Sequence, residues 1–223
     1  MRFVEHDPSG GELANMIDAL STNVTQFFRE SQHLDHLRDD MLPKLMADRT
    51  KAGQPKLRIW SAGCSSGEEP YTIAMVLRET VVDIDRWDVK LLATDISNNV
   101  LAKARDGVYE EGKFRDVPML LRGKYFEQVD PGPPRRYQVS PTLRNMVHFA
   151  RLNLLEPWPM KGPFDFIFCR NVMIYFNQPT RQQLITRFGE LLSPGGALFI
   201  GHSESLSGIK HKLKQLYPTV YQN

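Results

Sequence analysis

Leu57-Arg58-Ile59-Trp60-Ser61 is a short apolar run that ends in a glycine- and serine-rich turn, Gly63 to Gly67. The chain then enters Pro70 to Thr80, an apolar segment with a proline in its first turn, which predicts a helix. The order strand, loop, helix repeats at once. Lys90 to Thr94 reads as a second strand, Asp95-Ile96-Ser97 as its loop, and a helix starts at Asn98 and stops at Gly107. Parallel strands need a crossover, usually a helix, so two such units in succession predict a doubly wound α/β fold. The continuous run Phe164 to Cys169, a helix over Thr180 to Leu192, the turn Pro194-Gly195-Gly196 and a strand over Ala197 to Gly201 extend the rhythm. Thr219-Val220-Tyr221 is expected to add a final edge strand.

Upstream, Pro8 and the Gly10-Gly11 pair lead into an expected short helix, Glu12 to Leu20. Asn23, with Gln26 three residues on, resembles a capping box. Val24, Phe27, Phe28, Leu34, Leu37 and Leu45 then recur at roughly helical spacing, which predicts one or two helices ending near Met46. Ala47 to Lys56, polar and holding Gly53 and Pro55, reads as a linker or turn. Between Tyr109 and Val147 the alternation breaks. Pro131-Gly132-Pro133-Pro134 separates Tyr125 to Val129 from Arg136 to Val139, which predicts a hairpin projecting from the main sheet, so residues 109–146 form a small subdomain.

The loop at Gly63 narrows the ligand. Its place after the first strand is where α/β sheets bind nucleotides, and its glycines let a ligand approach the backbone. A phosphate-binding P-loop would continue with Lys and Ser or Thr, whereas Glu68 and Glu69 stand here. Two carboxylates repel a pyrophosphate, so the loop suits a nucleoside without phosphates. Asp95, at the end of the second strand, can accept hydrogen bonds from both hydroxyls of a ribose. S-adenosylmethionine has a ribose, no phosphate, a sulfonium and an ammonium, and its positive charges suit carboxylates. Taken singly, Glu68 and Glu69 could merely complement a helix dipole and Asp95 could cap the next helix. Taken with the glycine loop, they favour cofactor binding.

Other classes are excluded more simply. With 28 Lys and Arg against 26 Asp and Glu, a net charge of +2 gives no field that argues for nucleic acid or an anionic membrane. No stretch approaches the ~20 apolar residues of a membrane span, and the first residues lack a secretory h-region, so no membrane insertion and a cytoplasmic location are expected. Cys64 and Cys169, the only cysteines, offer neither a disulfide framework nor zinc spacing, and no metal is expected. His202-Ser203-Glu204-Ser205 does not complete a Gly-x-Ser-x-Gly elbow, which argues against a hydrolase.

The strings SAGCSSGEEPYTIAM, ATDIS, FDFIFCRNVMIYF and GHSESL, in that order, resemble the chemotaxis-receptor protein-glutamate methyltransferases of the CheR type, over about Ser21 to Tyr221. That resemblance implies a seven-stranded S-adenosylmethionine-dependent methyltransferase sheet, the last strand antiparallel, with a small antiparallel β-subdomain inserted. Residues 1–50 are then an N-terminal helical stub and linker, and 51–223 the methyltransferase domain with the subdomain at about 109–146. It implies transfer of a methyl group from S-adenosylmethionine to receptor glutamates, releasing S-adenosylhomocysteine. The positions matching the family's cofactor contacts are Asn23, Thr25, Arg29, Glu68, Asp95, Asn153, Leu154, Asn171 and Val172, with Gly63 in the glycine loop. Tyr175 matches the aromatic beside the reactive methyl. Implied partners are the cytoplasmic helical domain of methyl-accepting receptors and, in some members, a receptor C-terminal peptide held by the β-subdomain. Members usually begin with a separate helical domain thought to help present receptor helices; here only the residues before Ser21 precede the match.

Local readings compete with several of these roles. Tyr175, beside Ile174 and Phe176, could be a core aromatic, or a ring that walls off water while its hydroxyl meets an incoming carboxylate. Arg29 could be a solvated helix residue beside Glu30, or a partner for a carboxylate of cofactor or substrate. Asn23 by itself reads as a helix cap, Asn171 as a polar group closing a buried strand at the ligand edge, and Asn153 rests on the resemblance. A non-catalytic cofactor-responsive module and a methyltransferase for a small carboxylic acid are the alternative functions.

Overall fold

The structure, a computed structural model, describes residues 24–223. Asn23 and the helix expected over Glu12 to Leu20 lie outside the described residues. The segment Val24–Glu30 contains no helix: it is an extended strap ending in a turn, and Phe28 and Glu30 adopt left-handed backbone angles, φ 55° and 52°. The apolar spacing there has another cause. Phe27 is fully buried among the rings of Tyr109, Phe114 and Phe126, with centroids 5.0–5.5 Å away. Helix α1 (Ser31–His36) then passes through a π-type turn, Leu37–Met41, into α2 (Leu42–Lys51). The helix thus runs through five of the residues expected to be linker, and the turn falls at Ala52 and Gly53.

The main sheet is built from β1 (Lys56–Ala62), β2 (Asp88–Asp95), β6 (Val147–Arg151), β7 (Phe164–Cys169), β8 (Leu192–Ile200), β9 (Lys214–Tyr217) and β10 (Val220–Gln222), in the order β6-β2-β1-β7-β8-β10-β9. The strands β6, β2, β1, β7 and β8 pair in parallel, and β10 is antiparallel to both its neighbours. The last strand is antiparallel, as expected, but it is interior: β9 takes the edge. The expected turn at Pro194-Gly195-Gly196 lies within β8, where the register on β7 jumps from Phe164 opposite Leu192 to Phe166 opposite Ala197.

Alternation along the strands feeds two cores, one on each face. Ile59, Phe166, Phe168 and Phe199 join α3 (Glu68–Thr80), α1 and Phe27 on one side. Trp60, Ile167, Cys169 and Ile200 join Trp158 and the helix α7 (Gln178–Leu191) on the other. All six residues of β7 are buried, as a central parallel strand covered on both faces requires. Helix α4 (Asn98–Asp106) is capped by the Ser97 hydroxyl, which accepts from Val100 N–H, and ends at Gly107 in the left-handed region.

After α4 the chain leaves the main sheet. Strands β3 (Val108–Glu110), β4 (Phe126–Asp130) and β5 (Arg136–Val139), with the short helix α5 (Met119–Tyr125), form an antiparallel sheet ordered β3-β5-β4. A one-turn helix, α6 (Pro141–Arg144), returns the chain to β6. The predicted hairpin is β4–β5. Its third strand, three residues long, carries too few residues for a pattern.

Candidate functional site

A cavity of about 430 Å³ opens at the carboxyl ends of the parallel strands. It spans the point where the chain, having laid β2 and β6 on one side of β1, crosses to place β7 and β8 on the other. Such a reversal leaves a crevice between diverging connections, the usual ligand position in open α/β sheets. Its walls come from the strap (Thr25, Phe28, Arg29), the glycine loop (Gly63, Ser65, Glu69), the end of β2 (Asp95, Ile96), the loop after β6 (Leu152 to Leu155) and the loop after β7 (Arg170 to Val172, Tyr175, Phe176).

Gly63 has φ +83°, and a Cβ on it would lie 2.4 Å from Cγ2 of Val172, so the glycine loop and the loop after β7 touch only because glycine stands there. Gly63→Ala should cost about 1–2 kcal/mol for the left-handed backbone alone. Melting should fall by at least about 2 °C, and cofactor affinity at least tenfold as Val172 is driven into the cavity. Thermal unfolding and calorimetry check both, and an alanine variant with unchanged affinity would remove Gly63 from the site.

Asp95 holds the loop and faces the cavity. Its Oδ2 accepts from Ser65 N–H (2.8 Å) and its Oδ1 from Ser97 N–H (3.1 Å). A carboxylate offers about four acceptor sites, enough to order a loop and take a ligand's hydroxyls as well. Of the acid pair, the resemblance singles out Glu68, whereas the member that lines this cavity is Glu69. Glu68 is fully buried on the far side of the turn, where its carboxylate accepts from the Ser66 hydroxyl (2.7 Å) and pairs with Lys113 (2.9 Å). Glu69 lines the cavity instead, its Oε1 accepting from the Ser61 hydroxyl at 2.7 Å. Consecutive helical residues point about 100° apart, so only one of the two can face the ligand.

Behind Glu69 lies Arg170, which sequence reading missed. Its guanidinium, 3% exposed, reaches Glu69 (3.4 Å), Glu30 (3.1 Å) and the carbonyl oxygen of Arg29. Burial pushes the Glu69 carboxyl up, with Arg170 and the Ser61 hydroxyl pulling the other way. Burial also acts to raise Glu30, but Arg170 and hydrogen bonds from His202 and Asn171 outweigh it and hold that carboxyl below its ordinary value. Arg29 donates to Val24 O (2.9 Å), which turns its side chain back over the strap at the cavity wall.

Asn171 lies in the left-handed region (φ 60°) and donates from Nδ2 to Glu30 (3.3 Å). Asn153 bonds within its own loop, to Glu156 and Leu155 N–H, and Leu154 beside it is buried. Tyr175, 58% exposed, stands at the mouth in a 3-10 turn, Met173–Tyr175, and is not a core aromatic. The loop from Arg170 to Tyr175 is shaped from below by Glu204, a second residue missed. Its buried carboxylate accepts from the backbone N–H groups of Asn171 (3.0 Å), Met173 (2.7 Å), Ile174 (3.2 Å) and Gly201 (2.5 Å).

The structure therefore brings Thr25, Arg29, Gly63, Asp95, Asn153, Leu154, Asn171, Val172 and Tyr175 to one cavity, leaves Glu68 outside it, and adds Glu69 and Arg170. Asp95 and Glu69 put two carboxylates on the wall, where no lysine stands among the described residues and the two arginines are engaged by Val24 O (Arg29) and by Glu30 and Glu69 (Arg170), which suits a cationic nucleoside better than a polyphosphate.

A profile described as "CheR methyltransferase, SAM binding domain" matches residues 23–222. The chain belongs to the CheR methyltransferase family. Curated relatives agree. A chemotaxis protein methyltransferase of Borreliella burgdorferi is 45% identical over 100% of this chain and 78% of its own. Another, of Escherichia coli, is 40% identical over 99% of this chain and 74% of its own. A third, chemotaxis protein methyltransferase 2 of Pseudomonas aeruginosa, is 40% identical over 98% and 76%. This CheR-family chain is thus an S-adenosylmethionine-dependent methyltransferase acting in chemotaxis. No helix among its described residues is long and apolar enough to cross a membrane.

Proposed function

We propose that this methyltransferase esterifies side-chain carboxylates of glutamates in chemotaxis receptors, leaving S-adenosylhomocysteine. The observation that carries this reading is the mouth of the cavity, where Tyr175 and Arg29 stand over a wall bearing Asp95 and Glu69. When bound, the cofactor supplies an electrophilic methyl group on a sulfonium. Asp95 would take the ribose hydroxyls, Glu69 the ammonium, and Ile96, Leu154 and Val172 the apolar faces of the adenine. The glutamate substrate, with an ordinary pKa near 4.3, arrives ionised, so no general base is needed, and no histidine among the described residues lines the cavity. What the chain must do is align and dry the reacting groups, a contribution that can reach ~7–11 kcal/mol.

Arg29 would attract the incoming carboxylate, and the Tyr175 hydroxyl would donate to the oxygen that does not attack, while Phe176 excludes water. Tyr175→Phe removes one hydrogen bond to a charged group, about 1.5–3 kcal/mol, so kcat should fall about 10- to 100-fold with cofactor affinity nearly unchanged. Equal loss of both would assign Tyr175 to packing. A receptor C-terminal peptide would add to the β3-β5-β4 sheet along β4, the longer of its two edge strands. The reading is tested with tritiated cofactor and a receptor cytoplasmic domain: label should pass to the receptor and be released by mild base, as an ester requires. Base-stable label, or label only in small molecules, would overturn it.

A further inference from the structure

Glu30 stands at the N-terminal boundary of α1 and His33 follows one turn later on the same face; both meet His202 at the start of the loop after β8. One ligand atom from each of the three lies within 4.8 Å of the others. His33 is 1% exposed. Its Nε2 is 2.7 Å from Oγ1 of Thr219, and that hydroxyl donates its single proton to Pro218 O (2.7 Å). In the tautomer that fits this arrangement Oγ1 accepts, Nε2 carries the ring proton, and Nδ1 of the neutral imidazole is a bare lone pair. That lone pair is buried without a hydrogen-bond partner. The polar atom it faces, Oε2 of Glu30 at 3.6 Å, is a second acceptor. Two acceptors opposed across a water-poor gap are unfavourable unless a positive centre sits between them.

We propose that Glu30, His33 and His202 form a binding site for Zn²⁺. Two imidazoles and one carboxylate are a common zinc ligand set with a fourth position left for water, whereas Mg²⁺ and Ca²⁺ take oxygen ligands. Arg170 is the obvious objection, since its guanidinium already touches Glu30. It is shared, however, with Glu69, so the guanidinium is not committed to Glu30 alone. The four bonds reaching the Glu30 carboxylate, from Arg170 Nε and Nη2, Asn171 Nδ2 and His202 N, are 3.1–3.3 Å long. Charge-assisted bonds are usually ~2.7–2.9 Å. Closing on an ion would require Glu30 to exchange part of these longer contacts for the metal bond. Bonds of ~2.0–2.2 Å require the three ligand atoms to draw together. His202 is exposed, and its ring makes no hydrogen bond among the described residues, so it is the group that turns inward. The ion would pin the strap to the loop holding Glu204, two walls of the cofactor cavity.

The test uses the full chain, stripped with chelator, exchanged into buffer, and titrated calorimetrically with ZnCl2. One equivalent should bind at micromolar Kd or tighter and raise the melting temperature, and MgCl2 should do neither. His202→Ala should weaken binding at least tenfold, while His148→Ala, an exposed histidine on β6, should not. Glu30→Gln repeats the test on the second arm. Should His202→Ala misfold, a loss confined to Glu30→Gln still supports the site. No stoichiometric binding, or equal binding by all variants, would overturn the proposal and leave only surface histidines. Because the readout is zinc binding and stability, it is separate from the identity of the methyl acceptor.

Discussion

Replacing Asp95 with alanine lowers the affinity for S-adenosylmethionine by about two to four orders of magnitude, while the protein stays folded. A hydrogen bond to a charged group is worth about 1.5–3 kcal/mol, and a ribose offers two hydroxyls, so about 3–6 kcal/mol leaves with the carboxylate, at about 1.4 kcal/mol per decade. A further loss is indirect, because Ser65 N–H and Ser97 N–H lose their acceptor and the loop that begins at Gly63 loses its tether. Asp95→Asn separates the two contributions: it keeps one acceptor oxygen and the side-chain shape, and should fall between wild type and alanine. Calorimetry with cofactor and product gives the affinities, and circular dichroism confirms the fold. S-adenosylhomocysteine, which retains ribose and adenine, should lose affinity in parallel. An alanine variant that binds within threefold of wild type would remove Asp95 from the ribose site.

The central strands and the glycine loop of this site were readable for a physical reason. A central parallel strand is covered on both faces, so Phe164–Cys169 stands out as an unbroken apolar run, and the glycine loop is short enough to place its neighbours. The edge strand β6 was not readable, because Val147-His148-Phe149-Ala150-Arg151 alternates weakly and only Val147 of the five is buried. The strap was misread as helix because Phe27 and Phe28 have helical spacing with Leu34, whereas Phe27 is held by three rings from the inserted subdomain, which no local window contains. Glu68 and Glu69 could not be ranked from spacing, because the choice depends on where α3 begins its rotation over the sheet. Arg170 carried a signal that went unused: an arginine directly after six buried residues must find partners where water is scarce.

Glu204 is the residue least visible in sequence, and its replacement by leucine should be among the most damaging. Its charge is held where burial opposes it: desolvation pushes the carboxyl up, and hydrogen bonds from four backbone N–H groups only partly pull it back. Keeping a carboxylate there makes sense if the loop requires one group with four acceptor sites, and no neutral side chain has them. Leucine fills a similar volume but leaves four donors without an acceptor in a buried place, at about 1–3 kcal/mol each, so stability should fall by at least about 4 kcal/mol. Glutamine keeps one oxygen and can satisfy at most half of the donors, so its loss should be intermediate. The order Glu, Gln, Leu in thermal unfolding is the first check. The second is local: the amides of Asn171, Met173 and Ile174 should lose hydrogen-exchange protection in both variants before the rest of the sheet does. Because that loop carries Asn171, Val172 and Tyr175 into the cavity, cofactor affinity and turnover should fall together in Glu204→Gln, in contrast to Tyr175→Phe, where turnover alone falls. If Glu204→Leu melted within about 2 °C of wild type, the loop would have to be shaped by something other than this carboxylate.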